Sequence, residues 1–291
     1  MSIYPIMLSQ TKFVHRDNIN YPFEERGLQF GDGVYEVIRI YNGNYYLLNE
    51  HVTRLFRSAE AVKINLPFTK EEVSKLLAEL VEKNDITTDA KVYLQVTRGS
   101  APRDHVFPNN VEANVYAYVQ HLPRNLDLLK NGVSTITRRD TRWENCYIKS
   151  LNLLPNVLAK QEAKEQGCYE AILHKDGFVT ECSASNVYLV KDGKIHTHPI
   201  RKNILHGCVR MSVERFATDL KIPFIEEGFS IDDITTADEI FLTSSTSEIM
   251  PIVQVDSNLI ADGKPGSITK QLQAAYEADA HISSTKKVIV N

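Results

Sequence analysis

Three groups of side chains in this sequence have residue types that could do chemistry: a nucleophilic amine, a pair of anion-binding donors and a carboxylate. Lys149 lies in the mostly uncharged stretch 146–154, and a lysine shielded from water tends to lose its proton and become a nucleophilic amine. Arg103 and His105 stand two positions apart, so both can donate hydrogen bonds to one anion. Glu181 follows a β-like stretch, and an ionised carboxylate there can hold a protonated nitrogen. Each pattern by itself also fits an ordinary surface side chain, so spacing alone does not assign a function.

Composition narrows the classes of partner. Lys and Arg number 33 against 37 Asp and Glu, a net charge of −4, so no broad basic surface is expected and nucleic acid is not a predicted partner. The N-terminus lacks a basic start before an apolar run, and nowhere do about 18 apolar residues stand together. We therefore expect a soluble, cytoplasmic protein that does not bind a membrane. The 4 cysteines are scattered, which favours reduced thiols over a disulfide frame.

Common nucleotide, zinc and hydrolase signatures are missing from the sequence. Gly31 and Gly33 begin a glycine pattern, but Glu36 stands where a dinucleotide fingerprint needs its third glycine. His196 and His198 would ligate a metal only if a carboxylate joined them, and we predict no metal site.

The local patterns predict two α+β domains, with an N-terminal domain over 1–120, a linker over 121–124 and a C-terminal domain over 125–291 that carries Lys149. In the first domain, strand 33–41 turns at Asn42-Gly43, Asn49 caps a helix, and Thr69 opens a capping box. The second domain is predicted to contain a strand-rich stretch at 133–149, helices at 155–166, 209–220 and 267–279, and short strands at 168–174, 186–190, 194–198 and 239–243, the last of the strands.

Two stretches, 147–154 and 180–186, resemble the core of the fold-type IV pyridoxal-phosphate enzymes. That group holds D-amino-acid aminotransferases, branched-chain aminotransferases and aminodeoxychorismate lyase. The resemblance extends from about Phe30 to Ile252, and 27–36, 97–105 and 243–248 are most similar to the D-amino-acid branch. It implies a smaller N-terminal α/β domain, a larger β-barrel-like C-terminal α+β domain, and pyridoxal 5′-phosphate at their interface.

The resemblance also implies roles for single residues. Lys149 would hold the cofactor as a Schiff base, and Glu181 would pair with its ring nitrogen. Its phosphate would be bound by a cationic side chain, a helix start and two hydroxyls, namely Arg54, Gly207, Cys208, Val209, Ser244 and Ser245. Val209 stands where the pattern often has Thr, so we expect phosphate binding weaker by about 1 kcal/mol. Cys182 and Ala184 also depart from the pattern.

The substrate α-carboxylate would be bound by Tyr35, Arg103 and His105, the last two reaching in from the partner subunit of a homodimer. The function implied is ping-pong transamination between D-amino acids and 2-oxo acids, with D-alanine and 2-oxoglutarate giving pyruvate and D-glutamate. The alternatives are a branched-chain L-amino-acid aminotransferase, aminodeoxychorismate lyase, and a cofactor-free binding protein on the same fold.

Overall fold

The computed structural model describes residues 2–285, which fall into two compact units. The first contains the chain up to Arg124, the short segment 148–152 and the end of the last helix from Ala280. The second contains residues 125–147 and 153–279. Both units mix helices with sheets, so the predicted α+β class is confirmed. Within residues 2–285, no helix combines the length and the apolar character needed to cross a membrane.

The first unit is built on a six-stranded sheet of order β2-β1-β6-β5-β3-β4. Its elements are β1 Ile3–Ser9, β2 Lys12–His15, α1 Arg26–Phe30, β3 Gly33–Tyr41, β4 Asn44–Tyr45, α2 Leu48–Ala61, α3 Lys70–Lys83, β5 Ala90–Thr97 and β6 Asn114–His121. Helix α2 packs on β3, and α3 packs on β1 and β6. Alternation along β3 buries Val34 and Ile38 fully, while Tyr35 between them is half-buried on the opposite face.

Local signals account for several boundaries in this unit. The hairpin turn uses Asn42 and Gly43 with φ of 49° and 81°, as a tight two-residue turn requires. Thr69 forms the predicted capping box at the start of α3. The predicted cap at Asn49 is wrong: α2 begins at Leu48 after Leu47 in the left-handed conformation, so Asn49 lies within the first turn.

The second unit is built on a nine-stranded mixed sheet with the path β12-β11-β10-β13-β14-β7-β8-β9, and β15 pairs with β14. Its elements are α4 Leu126–Asn131, β7 Val133–Arg139, α5 Leu154–Glu165, β8 Glu170–Lys175, β9 Phe178–Cys182, β10 Asn186–Lys191, β11 Lys194–His196, α6 Cys208–Asp219, β12 Phe224–Ile225, β13 Glu239–Ser244, β14 Glu248–Val255, β15 Asn258–Leu259 and α7 Ser267–Thr285, whose last residues belong to the first unit. Buried apolar residues from β10, β13 and β14, among them Leu189, Leu242 and Met250, form its core.

Two predictions about this part of the chain are wrong. Strand 239–243 is not the last one, because β14 follows it and pairs antiparallel with it; Pro251 within β14 obscures that strand in the sequence. The predicted strand-rich stretch over 133–149 contains one strand, β7, which ends at Arg139.

Lys149 belongs with the first unit, although the sequence placed it in the C-terminal domain. The Leu151 N–H donates to Gly33 O at 3.0 Å, and the Tyr35 N–H donates to Lys149 O at 3.0 Å. The segment 148–152 thus lies along the start of β3. Hydrogen bonds between residues far apart in the sequence join segment 148–152 to β3. The order of the chain does not reveal such bonds.

Candidate active site

Lys149 is held at both its backbone and its side chain by residues of β3 and α2. Its N–H donates to Ser58 Oγ at 3.2 Å, and its Nζ donates to Tyr35 Oη at 3.3 Å. The same Nζ lies 4.3 Å from the centroid of the Tyr35 ring, which stacks in turn on Tyr93. The structure therefore brings two predicted site residues, Lys149 and Tyr35, into direct contact and fixes the direction of the amine.

Arg54 lies one helical turn before Ser58 on α2 and is 6% exposed. Its Nε and Nη2 donate to the two carboxylate oxygens of Glu36 at 2.8 and 2.7 Å, and His51 Nδ1 lies 2.6 Å from Glu36 Oε2. Burial acts to raise the pKa of Glu36, but Arg54 and His51 lower it to about 2. A buried, ionised carboxylate next to Tyr35 thus orients the predicted phosphate-binding arginine.

Glu181, in the second unit, is buried and bonded from three directions. It forms an ion pair with Arg142, accepts from Asn186 Nδ2 at 3.0 Å, and accepts from the Leu205 N–H at 3.3 Å. Burial raises the pKa of Glu181, and the Arg142 guanidinium and the Leu205 N–H oppose that rise. Burial outweighs these donors, so the pKa of Glu181 stays raised, and a cationic N–H partner would favour its ionised form.

The start of α6 lies beside the same group. Asn186 Nδ2 also donates to Leu205 O at 2.9 Å, two residues before Gly207, the N-cap of α6. A Cβ on Gly207 would lie 2.2 Å from Asn186 Oδ1, so the position excludes a side chain. The φ of Gly207 is −69°, so close approach rather than an unusual backbone angle demands glycine here. No side chain caps the amide groups at this start, where Cys208 and Val209 are buried.

Ser244 is the last residue of β13, and Ser245 follows it at the turn into β14. Thr243 pairs across strands with Asn186, which places Ser244 at the sheet end nearest the start of α6. Ser244 Oγ accepts from the Ser247 N–H at 3.0 Å. The predicted phosphate-binding residues of the second unit therefore come from one end of β10, β13 and α6.

Arg103 and His105 lie on the exposed loop between β5 and β6. The Arg103 guanidinium lies 4.8 Å from the centroid of the Phe30 ring, and the His105 ring lies 5.5 Å from it. Within the described residues of this chain, no hydrogen bond or ion pair joins either side chain to Tyr35. The structure thus brings Arg103 and His105 together, but not into contact with the third predicted carboxylate ligand.

Sequence reasoning missed several side chains that support these groups. Glu36 was noted only as breaking a glycine pattern, and Arg142 was not singled out although it pairs with both Asp140 and Glu181. Asn186 closed a recognised motif but received no role. Both side chains bond Glu181, which lies 39 residues from Arg142 and 5 residues from Asn186. Little in the sequence therefore indicates either bond.

The residues present fit pyridoxal 5′-phosphate. The aldehyde of the cofactor requires an amine, and Lys149 has an oriented one. The protonated ring nitrogen requires a carboxylate, and Glu181 is a buried one. The phosphate requires unpaired amide groups, and the uncapped start of α6 has them beside Gly207, where a Cβ would clash. The fold and these groups define an aminotransferase that depends on pyridoxal phosphate. The chain belongs to the class IV aminotransferases, since the model of that family matches residues 33–255.

Similarity to individual proteins supports the same family. The chain is 45% identical to a D-alanine aminotransferase of Staphylococcus aureus (strain N315) over 267 residues, 91% of this chain and 94% of the relative. It is 46% identical to a D-alanine aminotransferase of Listeria monocytogenes serotype 1/2a (strain 10403S) over 273 residues, 93% and 94% of the two chains. The crystal structure of the branched-chain aminotransferase from the thermophilic archaeon Thermoproteus uzoniensis with norvaline superposes with a TM-score of 0.88 at 26% identity, covering 97% of this chain and 96% of that one.

The predicted enzyme class and cofactor are therefore confirmed, and the alternative of a cofactor-free binding protein is set aside. As an aminotransferase, the enzyme exchanges an amino group between amino acids and oxo acids.

Proposed function

We propose that this enzyme transfers the amino group of D-alanine to 2-oxoglutarate, giving pyruvate and D-glutamate in the cytoplasm. The observation that carries the proposal is the oriented Lys149 amine on Tyr35, in a chain whose relatives named D-alanine aminotransferase match more than nine-tenths of its length.

Lys149 has two tasks in the proposed reaction. Its amine would hold the aldehyde of the cofactor and, when free, would accept the proton of the substrate Cα and return it. When bound, pyridoxal phosphate supplies an electron sink for the broken carbon–hydrogen bond. Tyr35 Oη, 3.3 Å from Nζ, keeps the amine directed while it accepts and releases that proton.

Glu181 would keep a proton on the ring nitrogen of the cofactor. Arg142 and Asn186 fix the carboxylate, and Arg142 compensates its charge while it is buried. The amide groups at Gly207, Cys208 and Val209 would donate to the phosphate, and Ser244, Ser245 and the Arg54 guanidinium, whose orientation is set by Glu36, would assist them.

Arg103 and His105 would bind the substrate carboxylate in the partner subunit of a homodimer, where the Tyr35 hydroxyl is the third donor. Their exposure, and their contact with Phe30 rather than Tyr35 in their own chain, support this assignment. Holding the carboxylate by these donors aligns the Cα–H bond for removal.

Hybrid dimers test the subunit assignment. A Lys149→Ala chain keeps an intact loop, whereas an Arg103→Gln chain keeps an intact lysine. If the loop acts on the partner, mixed dimers regain one full site and the mixture exceeds both parents in activity. A mixture no more active than the average of its parents would show that each loop serves its own chain.

Substrate handedness is tested by measuring pyruvate from D-alanine with 2-oxoglutarate, beside glutamate from L-leucine with 2-oxoglutarate. The proposal requires kcat/KM for D-alanine to exceed that for L-leucine. The reverse order would favour a branched-chain aminotransferase, the kind of enzyme whose solved structure shares this fold. Pyruvate released from aminodeoxychorismate without any amino acceptor would instead indicate the lyase.

A further inference from the structure

The loop that carries Arg103 and His105 is fixed at its base by main-chain hydrogen bonds. The Arg98 N–H donates to Asp32 O at 3.0 Å, and the Arg26 N–H donates to Gly99 O at 2.9 Å. The Ala101 N–H donates to Glu24 O at 3.2 Å. These bonds end at Ala101, two residues before the first proposed substrate ligand, so the tip needs other contacts to hold its position.

One buried side chain reaches that tip. Arg26 is 3% exposed, and its Nη1 donates to the main-chain carbonyl of Asp104 at 2.7 Å. Asp104 lies between Arg103 and His105 in the sequence. A single bond from Arg26 thus holds the peptide group between Asp104 and His105.

Arg26 is itself fixed by a shared carboxylate. Asp32 Oδ2 accepts from Arg26 Nε and from Arg98 Nε, both at 2.8 Å, and its Oδ1 accepts from Arg98 Nη2 at 2.9 Å. The Arg98 guanidinium lies 3.6 Å from the centroid of the Phe107 ring, on the far side of the tip. The pair of arginines around Asp32 therefore contacts the loop before and after its proposed ligands.

An aromatic ring completes the support. The guanidinium of Arg26 lies 4.7 Å from the centroid of the Phe30 ring, the ring that also contacts Arg103 and His105. The Phe30 ring thus contacts the buried Arg26 and both proposed ligands.

We propose that Arg26, oriented by Asp32, is a positioning residue for substrate binding: it holds the loop so that Arg103 and His105 present their donors to the substrate carboxylate. The inference rests on the proposed function, which makes those two residues carboxylate ligands. Arg26 does not touch the substrate; it acts through the carbonyl of Asp104 and the ring of Phe30.

The test is a double-mutant cycle on the holoenzyme, with KM and kcat measured for D-alanine in the wild type, Arg26→Gln, Arg103→Gln and the double variant. In Arg26→Gln, Asp32 keeps both bonds from Arg98, so its carboxylate still has a cationic partner. We expect Arg26→Gln to raise KM about tenfold, the effect of losing a charged hydrogen bond, with a smaller change in kcat. In the Arg103→Gln background the rise should be clearly smaller, because only His105 then depends on Arg26.

Equal effects of Arg26→Gln in both backgrounds would overturn the inference while leaving Arg103 as a ligand. If Arg103→Gln alone left KM unchanged, the proposed carboxylate site would be wrong, and the inference would fail with it. This outcome differs from equal effects of Arg26→Gln in both backgrounds, which overturns only the role of Arg26. Phe30→Leu removes the shared ring but keeps the Arg26–Asp32 pair, and it should also raise KM if the tip must be held; an unchanged KM counts against the proposal even if Arg26→Gln fails to fold. Arg16→Gln, an exposed arginine on a surface turn, is the matched control and should leave both constants unchanged.

Discussion

Replacing Glu36 with Gln should destabilise the protein strongly, because this side chain neutralises a buried cation. Glu36 is fully buried and accepts two bonds from Arg54 and one contact from His51. Gln offers only one acceptor oxygen and places an NH₂ group against one of these partners, so Arg54 loses its counter-charge. Removing one member of a buried ion pair costs about 3–5 kcal/mol.

The pKa gives an independent magnitude. The pKa of Glu36 is held at about 2 against an ordinary 4.5, a difference that corresponds to on the order of 3 kcal/mol of folding free energy. Because the folded pKa is the lower one, this contribution is complete above pH 4.5 and is lost as pH falls towards 2. The wild type should therefore lose stability over that range, whereas Glu36→Gln lacks this loss.

Urea unfolding followed by circular dichroism measures the difference directly. We expect Glu36→Gln to lower the free energy of unfolding by about 3 kcal/mol at pH 7, with the gap from wild type narrowing between pH 4.5 and 3. Glu71→Gln, an exposed glutamate in the first turn of α3, should change it by less than about 0.5 kcal/mol. A gap below about 1 kcal/mol, or one that does not change with pH, would show that Arg54 and His51 do not stabilise the ionised form of Glu36.

Three further changes address the cofactor site. Gly207→Ala puts a Cβ 2.2 Å from Asn186 Oδ1, so either the start of α6 or the Asn186 amide that bonds Glu181 must shift, and fluorescence titration should show pyridoxal phosphate binding at least about tenfold more weakly. Val209→Thr adds a hydroxyl at the same helix start, and the same titration should show tighter binding by up to about 1 kcal/mol. Arg142→Gln removes the cation that opposes the raised pKa of Glu181, so kcat should fall and its acid limb should move to higher pH.

Matched variants make these tests specific. Gly228→Ala, where the added Cβ would meet nothing nearer than His198 Cδ2 at 3.9 Å, should leave cofactor affinity unchanged. Arg139→Gln, an exposed arginine near Arg142 in sequence, should leave the pH profile of kcat in place. Unchanged cofactor binding in Gly207→Ala would mean that α6 does not begin at the phosphate. An unmoved acid limb in Arg142→Gln would mean that Glu181 does not titrate in that range.

The sequence predicted what depends on neighbours in the chain. Strand Gly33–Tyr41 has the predicted limits because its alternation and the Asn42-Gly43 turn are local signals, as is the capping box of Thr69. The helix over 155–166 was predicted within one residue at each end, since Pro155 and Gly167 mark both ends.

Contacts between distant residues were out of reach. The bonds of Lys149 to Ser58 and Tyr35 span 91 and 114 residues, so chain order suggested the wrong unit for the lysine. The resemblance indicated candidate reactive residues but not the side chains that orient them. Glu36 and Arg26 are charged side chains whose burial no local pattern reveals, and burial is what makes them matter.

The chemistry proposed for Lys149 can be tested by fixing the cofactor to the protein. Borohydride reduction of the holoenzyme, followed by digestion and mass spectrometry, should find the pyridoxyl group on the peptide that contains Lys149, and D-alanine added beforehand should reduce the labelling. The Lys149→Ala variant should carry no label and have no activity. A label on another lysine, or a Lys149→Ala variant that is coloured and active, would contradict the account.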